Sequence, residues 1–595
     1  MEDIKRGRIA LPRFQRKFVW KDDTISDLIF AIIKEKPVGA LLVMKNHGAN
    51  GIFRPWPIKG SENYFNQKKY ENDGIMMILD GQQRLTAIWC ALNGVFSKEE
   101  DKRNRRGFFM KFDKEKIDLN NPKFQNFITG VICKKMDQAE KHDNPDKYFF
   151  EKGLIPVSLL FSEDRHKIRD WFKAVCENKE IFEKIYREIE ECNFRFNGRD
   201  ISYYTLPEKT EIGEVIQTFI KINTSSSKMS IFDIAVACIE DLNIQGSNED
   251  RFRDWIDEIN LDQGRMERYF PSENRISEIG ELILKVACLL TKEKENSRPF
   301  IPTEKNYTEK EVVKTVINRW NDIVRGIDCT LEFMEMEGIY DSKRLPSEVP
   351  LRVLPALYAD FPKDIDPDKD GYRNQLIRKY LWRSFFTERY DSAAETRLHQ
   401  DYMELYKIIG KIYKDDSFDQ SAEGIFDEDR YPIPNSEMLS NFKKRLKKPT
   451  MKSKIPRALL ILSLKRGAID IASDEKITPS NIGLRQYHHL FPKKMLKDEG
   501  RDDIEINHPL NFALIQANSN KRIAAKKPKD YLFQRRVGDA EEEDIRERVE
   551  SHLIPYDELN VETGKGHRYE KFIKRRADLF ESVLKELCEG KKWPK

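Results

Sequence analysis

Apolar residues recur at helical spacing along most of this chain and cluster in short runs elsewhere, a pattern that predicts a mixed fold in which helices dominate. Residues 9–20 read as extended, after which Asp22, Asp23 or Thr24 caps a helix that places Leu28, Ile29, Ile32 and Ile33 on one face; Pro37 and Gly39 stop it. Residues 40–44 and 75–79 read as strands, separated by a charged excursion over 46–73. The second strand passes through Asp80 and Gly81 into a helix that lasts until Asn93-Gly94. Ile212, Val215, Ile216, Phe219 and Ile220 form a further helical stripe, and Ser230 with Asp233 opens the next helix as a capping box does. From about 245 to 435 the pattern stays helical, with Ile276, Ile279, Ile283, Val286 and Leu290 facing a core and Tyr380-Leu381-Trp382 beside Phe385-Phe386 in a buried helix. Residues 415–434 interrupt it as a loop or hinge. Further on, Phe512-Ala513-Leu514-Ile515 reads as a buried strand, and residues 520–532 as a loop and helix.

The second of those regions carries the most specific chemistry. Tyr487-His488-His489-Leu490-Phe491-Pro492, then Asn511, then Asn520-Lys521 has the order and spacing of an HNH nuclease centre, a hairpin and helix with a divalent ion. Hydrolysis of a phosphodiester needs a base for water, a cation for the developing charge and a scaffold that holds both. In that pattern His489 lies on the first strand facing Asn520 and is the general base, Asn511 orients its ring, and His488 with Asn520 holds a hydrated Mg²⁺ or Mn²⁺. His508 either supports the site from behind or lies at the surface. A His pair beside a proline is, taken alone, more often a strand end; here three of the nine histidines fall between 488 and 508, and two asparagines follow.

Composition narrows the rest. At 595 residues the chain is too long for one ordinary core. Its apolar runs are much too short to span a bilayer, and its start lacks the apolar stretch of a secretory signal, so no membrane partner and a cytoplasmic location are expected. Eight scattered cysteines without a C-x-x-C pair speak against a zinc ribbon or disulfide framework. Net charge is only +4, so a nucleic-acid surface has to come from local clusters. Lys443, Lys444, Arg445, Lys447 and Lys448 form one, and Lys521, Arg522, Lys526 and Lys527 directly follow Asn520. A basic run is often only a solvated helix face, but two flanking a phosphodiesterase motif predict contact with DNA phosphates.

Near the start, Asp80-Gly81-Gln82-Gln83-Arg84 forms a strand, tight turn and helix start. A helix N-terminus attracts phosphate, Gly81 permits close approach, Arg84 adds donors, and Asp80 suits a cation or a ribose hydroxyl. It is no Walker loop, which would end in Gly-Lys-Ser/Thr. The connector 222–229 suits an anion or an ordinary helix–helix turn, and Phe14, Phe18 and Trp20 suit a sensing pocket or plain core packing.

Residues 9–20, Asp80-Gly81-Gln82-Gln83-Arg84-Leu85-Thr86 and Phe219-Ile220-Lys221-Ile222-Asn223-Thr224 closely resemble the DGQQR family of ParB/sulfiredoxin-like domains, and the Asn511 to Leu532 region resembles the HNH domain found with it in GmrSD-type, modification-dependent (type IV) restriction enzymes. The resemblance implies a multidomain α+β protein: a ParB-like α/β nucleotide-binding or sensor domain at 1–240, a helical connector at 241–435, and an HNH (ββα-metal) endonuclease domain with its basic segment at 436–595. It implies antiviral defence against double-stranded DNA carrying a modification such as glucosylated hydroxymethylcytosine or phosphorothioate, with nucleotide (GTP, ATP or CTP) bound or hydrolysed in an N-terminal site lined by Gln15, Arg16, Asp80, Gly81, Gln82, Gln83, Arg84 and Asn223. Two departures stand out: His488 occupies a position where many relatives have Asp, and Ser225 to Ser227 replace a Gly. One HNH centre cuts one strand, so a double-strand break requires a homodimer or two events. The rival expectations are a DNA-binding sensor or adaptor with an inactive HNH region, and a nuclease directed at RNA.

Overall fold

The computed structural model describes residues 1–12, 15, 18–46, 55–65, 74–93, 106–113, 127–137, 139–161, 165–198, 200–207, 210, 215, 232, 235, 236, 239, 252–259, 262–272, 275–291, 300, 301, 309–362, 366–414, 426–441, 451, 453–533, 542–560 and 567–593. The fold is mixed α/β and mainly helical, and the chain divides into two compact units, Met1–Ser247 and Asn248–Lys595. Among the described residues no helix is long and apolar enough to cross a membrane.

The first unit is built on a five-stranded mixed sheet. Its strands are β1 (Ile9–Pro12), β2 (Leu41–Asn46), β3 (Pro55–Trp56), β4 (Ile75–Asp80) and, further along the chain, β8 (Tyr203–Leu206), in the order β3-β1-β4-β2-β8. β4 runs parallel to β1 and antiparallel to β2. A second, antiparallel sheet consists of β5 (Arg106–Phe112), β6 (Ile128–Lys135) and β7 (Leu154–Pro156) in the order β6-β5-β7. Helix α1 (Asp22–Ile33) takes Lys21 as its N-cap in place of the expected Asp22, Asp23 or Thr24, and no side chain closes its N-terminus. Helix α2 (Gln82–Asn93) lies between two cores: Leu85, Trp89 and Cys90 join Leu11, Leu41, Val43 and Ile78 of the large sheet, while Ala87, Ile88, Ala91 and Leu92 join α1 and β5. A helix buried on two sides has little polar face to present, and from Leu85 to Leu92 its sequence is apolar apart from Thr86.

The turn between β4 and α2 requires glycine. Gly81 has φ +91°, and a Cβ there would lie 2.2 Å from Leu41 Cδ2. Gly81→Ala is expected to destabilise the first unit by about 2 kcal/mol or more, through left-handed backbone strain and the clash together. Urea unfolding monitored on this unit checks it, and an unchanged midpoint would remove the glycine requirement.

Among its described residues the second unit is helical apart from one two-stranded hairpin and an isolated bridge between Ile469 and Lys476. Helices α3 (Arg275–Leu290), α4 (Trp320–Met336), α5 (Pro350–Asp360), α6 (Pro367–Ser384) and α7 (Ala394–Lys414) pack around residues such as Ile283, Leu331, Leu357 and Trp382, all buried. The stripe Ile279, Ile283, Val286 and Leu290 faces that core as its spacing predicts, while Ile276 is only half-buried. Glu337, buried after α4, accepts from Arg378 at 2.8 Å and Trp382 at 2.9 Å and pairs with Lys465 at 2.8 Å. Lys465 ends helix α8 (Lys454–Lys465), which packs against the hairpin strand β10 (Phe512–Gln516). The helical core and the hairpin thus share one framework.

Candidate active site

β9 (Arg485–His489) pairs antiparallel with β10, Phe512 opposite His489 and Ala513 opposite His488, and helix α9 (Ala517–Ile523) follows β10 at once. Asn520 therefore sits within a helix that begins three residues before the predicted loop. Successive side chains of a strand point to opposite faces, and this decides the pairing. His488 turns to α9, with Nδ1 3.0 Å from Asn520 Oδ1 and its ring edge-on to Tyr531. His489 turns the other way, with Nε2 3.1 Å from Asn507 Oδ1 and its ring over Phe512, centroids 4.3 Å apart. The expectation that His489 faces Asn520 is corrected by one step of strand alternation. Asn511 also differs from the expected orienting role. Fully buried, it accepts from the Phe491 N–H at 2.8 Å and donates to the Phe491 and Ile506 carbonyls at 3.1 and 3.0 Å, tying the turn after β9 to the loop before β10.

Burial lowers the pKa of His488 to about 4, against the opposing bond to Asn520. Burial also lowers that of His489, with Lys493 adding to the effect and the Asn507 bond opposing it. Both rings are neutral at pH 7, the form that accepts a proton or ligates a cation. His488 Nε2 is buried with no hydrogen-bond partner among the described residues. Nδ1 of His488 and Oδ1 of Asn520 stand 3.0 Å apart, and because an amide oxygen has no hydrogen to give, the contact is a hydrogen bond donated by Nδ1, which an ion binding at that nitrogen would have to displace. Among the described residues no group of three or more His, Cys, Asp or Glu could hold a metal. An ion at His488 and Asn520 would therefore depend on water and phosphate for its other ligands.

His508 is buried rather than at the surface: its Nδ1 accepts from the Leu510 N–H at 3.1 Å and its Nε2 donates to the Ser440 carbonyl at 3.3 Å. His552 donates to the Ile469 carbonyl at 2.7 Å. Burial lowers both from the ordinary 6.5 to about 4. Between those values the unfolded chain binds protons that the folded chain refuses, so stability is whole above about pH 6.5 and is lost as pH falls toward 4. At pH 5 each histidine costs on the order of 2 kcal/mol. The second unit is expected to melt several degrees lower at pH 5 than at pH 7, with a shallower slope in His552→Gln. Equal slopes for the variant and the parent protein would refute this origin of acid sensitivity.

Three buried contacts set the hairpin. Arg485 pairs with Asp470 at 2.6 Å, both side chains fully buried, and Asp470 also accepts the Gln516 N–H at 2.6 Å, pinning the outer ends of both strands. Tyr531 donates to the Leu490 carbonyl at 3.0 Å. Arg576, on helix α10 (His567–Cys588) and buried, donates to the carbonyls of Leu510, Phe512, His552 and Leu553. Neither Asn507 nor Arg576 is visible in the sequence pattern; an arginine in a long amphipathic helix reads as surface. Lys521, Arg522, Lys526 and Lys527 are exposed around the Asn520 end. Lys443, Lys444, Arg445, Lys447 and Lys448 lie outside the described residues.

In the first unit, Gln15 Nε2 donates to the Ile78 and Leu79 carbonyls at 2.9 and 2.6 Å, and Gln83 Oε1 accepts the Val19 N–H at 3.0 Å. Arg84, in place of a phosphate-facing fork, donates to the carbonyls of Val38 at 2.8 Å and Ala40 at 2.9 Å and pairs with Asp80 at 3.4 Å. These side chains knit the segment after β1, the turn before β2 and the β4–α2 turn into one knot. Gln82 is buried beside Gln83, while Arg16 and Asn223 lie outside the described residues. Residues 1–239 match the family model for the GmrSD restriction endonuclease, N-terminal domain. The GmrSD match coincides with nearly all of the first unit, and the hairpin lies beyond it. The chain is also similar to the uncharacterized protein MJ0686 of Methanocaldococcus jannaschii, 24% identical over 564 residues, 92% of this chain and 89% of the relative. That similarity runs through both units.

Proposed function

We propose that this protein is a modification-dependent DNA endonuclease of antiviral defence, in which an HNH centre on β9, β10 and α9 hydrolyses phosphodiester bonds under the control of the GmrSD-type N-terminal domain. The observation that carries the reading is the gathering of the neighbouring His488 and His489 at the end of β9 with Asn520 on α9, His488 lying 3.0 Å from Asn520 and His489 held by Asn507 at 3.1 Å. His489 takes a proton from water, His488 and Asn520 hold Mg²⁺ or Mn²⁺, and Asn511 braces the turn between them. When bound, the ion stabilises negative charge on the phosphate and the departing oxygen. Lys521, Arg522, Lys526 and Lys527 contact the phosphates of double-stranded DNA, joined by the 443–448 cluster. In the N-terminal domain a nucleoside triphosphate (GTP, ATP or CTP) binds at the N-terminal end of α2, where the helix dipole attracts phosphate, beside Gly81 and Gln82, with Gln15, Gln83 and Arg84 shaping the turn.

A second reading, a DNA-binding sensor with an inactive hairpin, draws on one observation: the candidate metal position offers an imidazole and an amide but no carboxylate. Plasmids that are unmodified, phosphorothioated, or hydroxymethylated and glucosylated, incubated with Mg²⁺ or Mn²⁺ with and without each nucleotide, separate the two. Cleavage that depends on modification supports the endonuclease; binding without cleavage under every condition supports the sensor.

A further inference from the structure

The amide of Asn507 has one orientation that satisfies its surroundings. Nδ2 lies 2.8 Å from the main-chain oxygen of Asp503, which can only accept, so the NH₂ group faces Asp503 and Oδ1 faces His489 Nε2 at 3.1 Å. Oδ1 has no hydrogen to give, so the one shared in that contact belongs to Nε2. A neutral imidazole carries a single ring hydrogen, which leaves the lone pair on Nδ1. Asn511 is spent: Oδ1 takes the Phe491 N–H and both Nδ2 hydrogens go to carbonyls.

We propose that Asn507 is the positioning residue of the cleavage reaction, holding His489 in the Nε2–H tautomer and making Nδ1 the atom that removes the proton. This rests on the nuclease reading above. Asn507 follows directly on a helical turn, Asp503–Ile506, fixed by the reciprocal capping box of Asp502 and Glu505, so the acceptor is delivered from a braced element. Phe512 beneath the ring fixes its plane. In the step itself, an O–H bond of water breaks and its hydrogen passes to Nδ1. The electron pair stays on the oxygen, which bonds to phosphorus; the P–O bond to the leaving oxygen breaks, and that oxygen takes a proton from solvent. Asn507 stabilises the resulting imidazolium through the same Nε2–H bond. Lys493 and His488 are the charged or titratable neighbours that act on this ring.

The test uses the full chain labelled with ¹⁵N in its imidazoles, with His489→Gln to assign the His489 signals, and compares Asn507→Ala and Asn507→Asp for both tautomer and plasmid nicking. The expected result is hydrogen on Nε2 in the parent protein, a mixed or reversed tautomer with at least tenfold slower nicking in Asn507→Ala, and recovery of the tautomer and part of the rate in Asn507→Asp, which keeps the acceptor for Nε2 but loses the donor to the Asp503 carbonyl. A merely structural Asn507 would lower the melting temperature without moving the tautomer. Hydrogen on Nδ1 in the parent protein, or a tautomer indifferent to Asn507→Ala, overturns the proposal. The expected tautomer responding to Asn507→Ala in a protein that nicks no plasmid overturns the nuclease reading instead, and with it the catalytic half of this assignment.

Discussion

Exchanging His489 for alanine is expected to slow DNA nicking by about 100- to 10,000-fold while leaving DNA affinity within a few-fold of the parent. The reason lies in when the side chain acts. On the proposed mechanism water gives up its proton only in the transition state, so the imidazole contributes there and scarcely to the bound ground state. A loss of that size corresponds to about 3 to 5 kcal/mol of barrier. His489 is half-buried, and alanine leaves Phe512 without its ring partner, so a melting curve has to accompany the kinetics. Nicking at the parent rate by a folded variant would remove His489 from the reaction. Weakened DNA binding with an unchanged rate at saturation would make it a contact residue instead of a base.

The largest effect on stability is expected at Arg576. Its guanidinium is buried, no carboxylate reaches it among the described residues, and it donates to four main-chain carbonyls, two of them flanking the turn into β10. Arg576→Met keeps much of the stem and removes the donors. The carbonyls of Leu510 and Phe512 would then be buried with a bond missing, and each such loss costs roughly 1 to 3 kcal/mol. The variant is expected to lose on the order of 4 kcal/mol, and amide exchange should accelerate first in β9 and β10. A variant within 1 kcal/mol of the parent, on the scale of an ordinary surface change, would mean that the hairpin stands without α10.

Much of this was legible in the residues. The strand 75–79, the helix to Asn93 and the strand 512–515 all follow from local periodicity, and the structure contains each of them. The ranges 212–220 and 222–230 fall almost wholly outside the described residues. The identities of the His and Asn residues were also legible, but not who faces whom: strand alternation gives Asn520 to His488, and the register of the hairpin leaves Asn507, which belongs to no motif, beside His489. Arg84 shows the same limit. Its position after a glycine turn suits a phosphate, yet the carbonyls of Val38 and Ala40, brought up by a segment more than forty positions away in sequence, take both terminal nitrogens. Long-range pairing of main chain with side chain leaves no periodic trace, because one partner is a group that every residue carries.

The dependence of the hairpin on α10 has a consequence for how the chain is made. A ribosome that has just added Asn520 has completed the histidine and asparagine set, but not Arg576, nor Tyr569 and Phe572, which pack on Phe491. Until α10 emerges, the carbonyls it binds face water and the two strands lack their clasp. The nascent polypeptide thus carries every histidine and asparagine of the candidate site before it can hold them in place, and the site is complete only once that later helix has folded back.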